Sequence, residues 1–222
     1  MSVPSESQRR NRNIRVAGLI LGFSGAAAMV FQSSHSAFSA TTSNDTNVFG
    51  AGSVAISDND GAQAMFTATN LAPGDSATVC MGVRYTGTLN PTAIKLYTGG
   101  ALESNNGGAY VAWANDATSE MDDNLSMRIE INDTDLAADP GSSCAPAGVG
   151  SFTDVAASAP GTNMRTMINS NSNFANGLAS QWGTVTASKW RVWRFTYTFS
   201  SLAPNSAQLD GLKVNFVWEA QR

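Results

Sequence analysis

The chain has 222 residues, of which only 14% are charged, about half the fraction found in ordinary globular proteins. Hydrophobic residues make up 42%, and ten Phe, five Trp and four Tyr supply core formers that an intrinsically disordered protein lacks. The net charge of −4 argues against a nucleic-acid partner, because phosphate recognition needs a basic surface. This length and composition favour one large all-β domain.

The first 36 residues predict an export signal. A basic cluster precedes the apolar run 16–31, and small polar residues follow, in the order of parts of a signal peptide. The alternative is a retained membrane anchor. The 16-residue run argues against it, because it is shorter than the ~20 residues that span a bilayer. Cleavage after Ser36 or Ser39 would remove His35, the only histidine, and leave a secreted domain over 37–222 with no membrane segment. The basic residues are Arg9, Arg10, Arg12 and Arg15.

The rest of the chain shows period-two alternation bounded by turn residues, which is typical of β-strands. In chain order we predict strands at 52–57, 63–69, 76–86, 92–98, 109–114 and 126–132, one short helix at 164–178, and strands at 190–200 and 212–218. Short strands with turns roughly every ten residues favour a sandwich. The predicted fold class is therefore all-β, a jelly-roll-like antiparallel β-sandwich with at most one or two short helices.

The alternation also predicts which faces of three strands point inward. Aromatic residues in a row at strand spacing usually build a core. For the second of these rows the alternative is an exposed aromatic platform, which would indicate a carbohydrate-binding module. The rows are Ala77, Val79, Met81, Val83 and Tyr85; then Trp193, Phe195, Tyr197 and Phe199; then Leu212, Val214, Phe216 and Trp218.

Cys80 and Cys144 are the only cysteines, so an internal disulfide has a single connectivity. A disulfide is the usual state of a cysteine pair in an exported protein. It would close a loop of 144 − 80 = 64 residues. The alternatives are two free thiols or a bridge to another chain. A catalytic cysteine is not predicted, because the mature chain contains no His that could activate it.

Two oxygen-rich stretches are candidate calcium sites, and calcium is the only cofactor that the sequence suggests. Carboxylate and amide oxygens at alternate positions are ligands that this ion prefers. The same residue types also close hairpins as Asx turns without any ion, which is the alternative. The first stretch is Asp58, Asn59 and Asp60 before Gly61, and the second is Asn132, Asp133, Asp135 and Asp139.

Short blocks near both ends of the mature chain resemble the TasA/camelysin family of exported biofilm-fibre proteins. The stretch between 98 and 212 carries no such resemblance, and Ser39-Ala40 stands where the family often has an acidic residue. The blocks are Ala37-Phe38-Ser39 followed by Asn47-Val48-Phe49-Gly50-Ala51-Gly52, then Asn70-Leu71-Ala72-Pro73-Gly74-Asp75-Ser76, Thr86-Gly87-Thr88-Leu89, and Val217-Trp218-Glu219-Ala220-Gln221.

The resemblance implies a jelly roll, processing by a dedicated signal peptidase, and assembly into extracellular fibres. It further implies strand donation, in which the mature N-terminus of one subunit completes a sheet of the next. The donor strand would lie within 37–50, and a disordered mature terminus is the alternative. Its candidate anchors are Ala37, Phe38, Val48 and Phe49.

We therefore expect an exported structural protein, located at the cell surface or in a biofilm matrix. Its expected partners are copies of itself, with an accessory matrix protein as a further candidate. The enzyme alternative is a secreted metallopeptidase, as camelysin-like proteins have been classed. No HExxH motif supports that activity, and nothing in the sequence pairs two of the acids as a glycosidase would.

Overall fold

The structure is a computed structural model, and it describes residues 39–43, 56–59, 65, 68, 70–88, 90–116, 120–155, 161–182, 185 and 188–221. All of them belong to one of the chain's two compact units, Phe38–Arg222. The predicted export signal lies outside the described residues. No helix in the described part of the chain is long and apolar enough to cross a membrane.

Eleven strands and two short helices make up the described fold. The strands are β1 (Ser39–Ser43), β2 (Ile56–Asp58), β3 (Ser76–Tyr85), β4 (Ala93–Ser104), β5 (Val111–Ala112), β6 (Leu125–Asn132), β7 (Phe152–Asp154), β8 (Thr162–Asn163), β9 (Leu178–Ala179), β10 (Lys189–Phe199) and β11 (Gly211–Gln221). The helices are α1 (Met121–Asn124) and α2 (Met164–Ser170), and a 3-10 turn spans Asn205–Ala207.

The strands form two antiparallel sheets. Sheet 1 has the order β1-β11-β4-β5, with β9 also pairing with β4. Sheet 2 has the order β2-β3-β10-β6-β7, with β8 also pairing with β6. The long strands β4 and β11 form the centre of sheet 1, and β3, β6 and β10 form the centre of sheet 2. The predicted all-β sandwich with at most two short helices is confirmed.

The core lies between the two sheets and contains most of the predicted inward rows, although Ala77 at the start of β3 is exposed. Trp193 of β10 meets Trp218 of β11 edge-on, with ring centroids 5.7 Å apart. Phe195 packs on Phe216 at 5.1 Å. Each such side chain contributes about 1.5–3 kcal/mol when it is fully buried, so the alternation seen in the sequence stabilises both sheets at once. Other buried members include Met81, Val83, Tyr85, Ile94, Leu96, Ile129 and Ile131.

Strand β4 is longer than the predicted strand at 92–98, because its pairing with β11 continues past a pair of glycines. Asn215 lies opposite Gly99, whereas Lys213 lies opposite Leu102, so two residues of β4 face one residue of β11. Gly100 takes a left-handed backbone with φ +56°, which a glycine adopts without steric cost. The resulting β-bulge lets the strand run on to Ser104.

Helix α2 is shorter than the predicted helix at 164–178. The side chain of Asn163 accepts a hydrogen bond from the backbone N–H of Thr166 and caps the start. Beyond Ser170 the side chain of Asn176 accepts hydrogen bonds from the backbone N–H groups of Ser172 and Asn173, both at 3.0 Å. Ser and Asn side chains compete in this way for helical backbone groups, so the helix ends here.

Three other predicted strands differ from the structure or are only partly described by it. At 63–69 the structure describes Met65 and Ala68, and neither belongs to a strand. The strand predicted at 109–114 shortens to the two residues of β5. Residues 56 and 57 of the strand predicted at 52–57 lie in β2, and the rest of that segment lies outside the described residues.

The outer face of sheet 2 is covered by the loop 133–150. A disulfide joins Cys80 of β3 to Cys144 of this loop, as the cysteine count predicts. Leu136 and Val192 are buried beside Cys80. The loop comes so close that a Cβ at Gly82 would lie 2.6 Å from Cγ of Pro140. The face that alternation predicts to point away from the main core therefore carries a small second core.

Candidate functional site

The edge strand β1 covers only half of β11. Pairing runs from Ser39 opposite Gln221 to Ser43 opposite Val217. On its other side β11 pairs with β4 from Gly211 to Gln221. Among the described residues no strand pairs with 211–216 on the β1 side. In proteins generally, unpaired backbone N–H and C=O groups on a strand edge can bind a further strand.

A cleft of about 1120 Å³ opens between the two sheets beside this half-covered edge. All of 211–216 lines it, together with side chains from both sheets. Flexible apolar side chains, methionines above all, adapt to different partners. A strand edge with no partner among the described residues, next to an apolar cleft, suits an extended segment whose alternate side chains are apolar. Lining residues from the other elements include Met121, Leu125, Met127, Met164, Tyr197 and Phe199.

A buried carboxylate supports the floor of the cleft. Asp122 of α1 is fully buried and accepts hydrogen bonds from Nε1 of Trp113 at 2.7 Å and from Nε of Arg165 at 3.2 Å. The hydrogen bond to Asp122 raises the pKa of the Arg165 guanidinium above its ordinary value. This ion pair joins α1 to α2, whose residues Met121 and Met164 line the cleft. Asp122 thus positions two cleft residues.

Sequence reasoning missed the residues at the mouth of this cleft. Leu202 is 88% exposed and Leu209 is 72% exposed, although both are large and apolar. Both leucines lie between the strands predicted at 190–200 and 212–218, and Leu202 belongs to a turn sequence with Pro204 and Asn205. A leucine inside a polar turn is the only signal that pointed to this surface.

The row of aromatic residues on β10 is not an exposed carbohydrate platform. Trp193 and Phe195 are completely buried, and Phe199 retains 3% of its exposure. Tyr197 is partly buried against the same core. This row lies between the sheets, where Trp193 and Phe195 pack against the aromatic side chains of β11.

The two candidate calcium stretches meet in the structure, but hydrogen-bond donors occupy their oxygens. The side chain of Asn59 donates to Asp139 and accepts from the backbone N–H of Gly82. Asp135 is ion-paired with Arg191, with 2.6 Å between Oδ1 and Nε. Asp133 accepts from donors in its own loop. A guanidinium beside Asp135 opposes a cation there. Asp60 lies outside the described residues, and Asp58 forms the end of β2.

Among the described residues no group of three or more His, Cys, Asp or Glu side chains could hold a metal ion. The four candidate anchors of the donor strand, Ala37, Phe38, Val48 and Phe49, lie outside the described residues. Part of the predicted donor segment is described, because β1 falls within 37–50. The structure places that part at the edge of β11.

Asp133 gives the loop 133–150 a pH-dependent contribution to stability. Hydrogen bonds from the Thr134 hydroxyl and from the backbone N–H of Ser151 lower the pKa of this carboxyl below its ordinary 3.8. Because the folded state has the lower pKa, the contribution is present above the unfolded pKa and is lost as the pH falls through the folded value. We expect Asp133→Asn to flatten the fall in stability below about pH 4, measured by urea unfolding over a pH series.

Thr134→Val is the matched variant for Asp133, because it removes one of the two donors and keeps the carboxyl. It should also flatten the fall in unfolding free energy at acid pH, by a smaller amount than Asp133→Asn does. If the unfolding free energies of the wild type and Asp133→Asn fell equally with decreasing pH, the prediction would be contradicted.

No protein-family model matches this sequence, and a search of curated proteins finds no significant similarity to it. The resemblance to the TasA/camelysin family therefore stays a prediction that rests on the short blocks near the two ends of the mature chain.

Proposed function

We propose that this chain is an exported structural subunit that polymerises into extracellular fibres, each subunit donating its N-terminal strand to the next. The half-covered edge of β11 carries the proposal, since 211–216 is free of a strand partner among the described residues and borders the apolar cleft. A fibre of this kind belongs at the cell surface or in a biofilm matrix, where an accessory matrix protein could nucleate it. The proposal assigns no catalytic residue and no cofactor.

The register of β1 defines how a donor strand would continue. Ser39 pairs with Gln221 and Ser43 with Val217, so each step forward along β1 is one step back along β11. A donor strand that keeps this register would therefore place 44–49 opposite 216–211. Its whole length from 39 to 49 would then match β11 from Gln221 to Gly211.

The same register places one predicted anchor at the cleft. Val48 of the donor would lie opposite Leu212, and directly opposite residues of antiparallel strands share a face. Leu212 packs against the main core and lines the cleft, so Val48 would add an apolar side chain on that face. Phe49 would lie opposite Gly211 on the other face. The register thus distinguishes two adjacent residues that the sequence pattern treated alike.

Charge also favours this register. Asp45 is the only charged residue between 37 and 49. In the register above it would lie opposite Asn215 and diagonal to Lys213, on one face of the sheet. Diagonal neighbours of antiparallel strands lie within reach of a long side chain, and opposite charges there contribute up to about 1 kcal/mol.

A cysteine cross-link tests strand donation directly. Ser43 and Val217 are register partners, so Ser43→Cys with Val217→Cys places two thiols on neighbouring strands. If β1 is donated, oxidised fibres should give a ladder of covalent multimers on a non-reducing gel. Fibres whose oxidised subunits all migrate as monomers would contradict the proposal, because the strand would then have stayed in its own chain.

The matched control pairs Ser43→Cys with Lys213→Cys. That partner lies four residues from the register position, roughly 13 Å along the strand, too far for a disulfide. No ladder is expected from it. Electron microscopy of the same samples establishes whether fibres are present.

A further inference from the structure

Large exposed apolar side chains of the described residues gather at one end of the sandwich, around the mouth of the cleft. Three of them line the cleft itself, and the other two are chain neighbours of lining residues. Exposed apolar side chains that cluster around a cleft are typical of an interaction site in soluble proteins. We call this surface the apolar rim, and it consists of Leu102, Tyr110, Val111, Leu202 and Leu209.

The backbone holds Leu209 outward in an unfavourable conformation. Its φ of 66° is left-handed, which a branched apolar residue rarely adopts. The carbonyl of Leu209 accepts a hydrogen bond from the N–H of Gly107 at 2.8 Å. The next residue, Asp210, is 8% exposed and accepts from the N–H groups of Asn106 and Glu120, both at 2.8 Å. Such strain is typical of functional positions.

Tyr110 also lines the cleft and contacts the start of β11. Nζ of Lys213 lies 3.9 Å from the centre of its ring. Its hydroxyl comes so close to the backbone that a Cβ at Gly211 would lie 2.4 Å away. The backbone of Leu209 and the ring of Tyr110 therefore both have partners within the chain, and restraint before binding lowers the entropy lost on docking.

The direction of the donor strand indicates which part of the donor subunit would lie at the apolar rim. A donor strand antiparallel to β11 would reach Gly211 with its residue 49, and its own β2 begins at Ile56. The connection spans 56 − 49 = 7 steps and reaches at most about 25 Å. The folded body of the donor subunit must then lie next to the Gly211 end of the acceptor, where the apolar rim is.

We propose that the apolar rim is the surface on which the body of the strand-donating copy docks, so that subunits contact one another through more than the exchanged strand. This inference rests on the proposed strand donation. It adds a second contact to the same junction, made by folded surfaces and located at the rim residues.

The test exchanges rim leucines for asparagine in the full mature chain. Asn adopts the left-handed conformation more readily than Leu does, so Leu209→Asn should keep or raise the urea midpoint of the monomer. We expect it to raise the critical concentration for fibre growth at least tenfold, roughly the effect of exposing one buried leucine. Leu202→Asn is an independent second variant. The soluble fraction after pelleting gives the critical concentration.

Ala147→Asn is the control, because Ala147 is exposed on the loop 133–150, outside the rim. Its critical concentration should equal that of the wild type. Equal values for Leu209→Asn, Leu202→Asn and the wild type, with the Ser43–Val217 ladder intact, would overturn rim docking and leave strand donation standing. Absence of the ladder in wild-type-like fibres would overturn both proposals.

Discussion

Replacing both cysteines, as Cys80→Ala with Cys144→Ala, is expected to lower the free energy of unfolding by about 4 kcal/mol. The disulfide closes a loop of 64 residues, and the entropy of the unfolded chain rises accordingly when it is removed. Cys80 is 2% exposed and packs against Leu136 and Val192. Urea unfolding of the mature protein measures the change.

The loss should be concentrated in the loop 133–150, and sheet 2 should keep its pairing. Hydrogen bonds from the Asn132 side chain to the carbonyls of Thr134 and Val149 hold the loop independently of the disulfide. Hydrogen exchange should therefore show faster exchange in the loop and unchanged protection of β3 and β10. A single Cys144→Ser variant should also form covalent dimers through the free Cys80. Two reactive thiols per chain in unfolded, unreduced wild type would contradict the bridge.

Asp122→Ala is expected to lower the free energy of unfolding by about 3 kcal/mol, because it removes the buried carboxylate to which Arg165 and the indole N–H of Trp113 both donate. Removing one member of a buried ion pair costs about 3–5 kcal/mol. The lower end applies because Arg165 keeps 21% of its side chain exposed and also contacts Asp123. Thermal and urea unfolding measure the effect.

Asp123→Ala is the matched control, since Asp123 is the next residue of α1 and contacts the same Arg165 with 40% of its side chain exposed. We expect less than about 1 kcal/mol from it, the usual range for a surface ion pair. Asp122→Asn should be intermediate, because it keeps an oxygen for Trp113 and removes the charge. Equal losses for the Asp122→Ala and Asp123→Ala variants would show that burial does not strengthen this pair.

Local patterns predicted much of the sandwich. Alternation along 190–200 and 212–218 identified both central aromatic strands and their inward faces, because side chains on a strand alternate strictly between its two faces. The same rule placed Cys80 on the face away from the main core, and the cysteine count alone gave its partner. By contrast, β4 continues to Ser104 only because β11 pairs with it beyond the Gly100 bulge.

The candidate site was less predictable. The sequence indicated an N-terminal segment with β character through its resemblance to a fibre-forming family, but no local feature says which strand that segment would join. The oxygen-rich stretches looked like ion sites because ligand types are visible in a sequence. The pairing of Asp135 with Arg191 brings together residues 56 positions apart, and only the fold shows it.

Spacing and residue number along the chain were enough to predict most inward faces and the single connectivity open to an internal disulfide, since neither depends on which strands become neighbours. Only the folded structure shows that β1 covers 217–221, that no described strand pairs with 211–216 on that side, and that Leu102, Tyr110 and Leu209 of the rim meet at one cleft. The physical reason is that a free strand edge and a surface patch are properties of neighbours in space. Residues as far apart as Leu102 and Leu209 become one surface only when β4 and β11 pair.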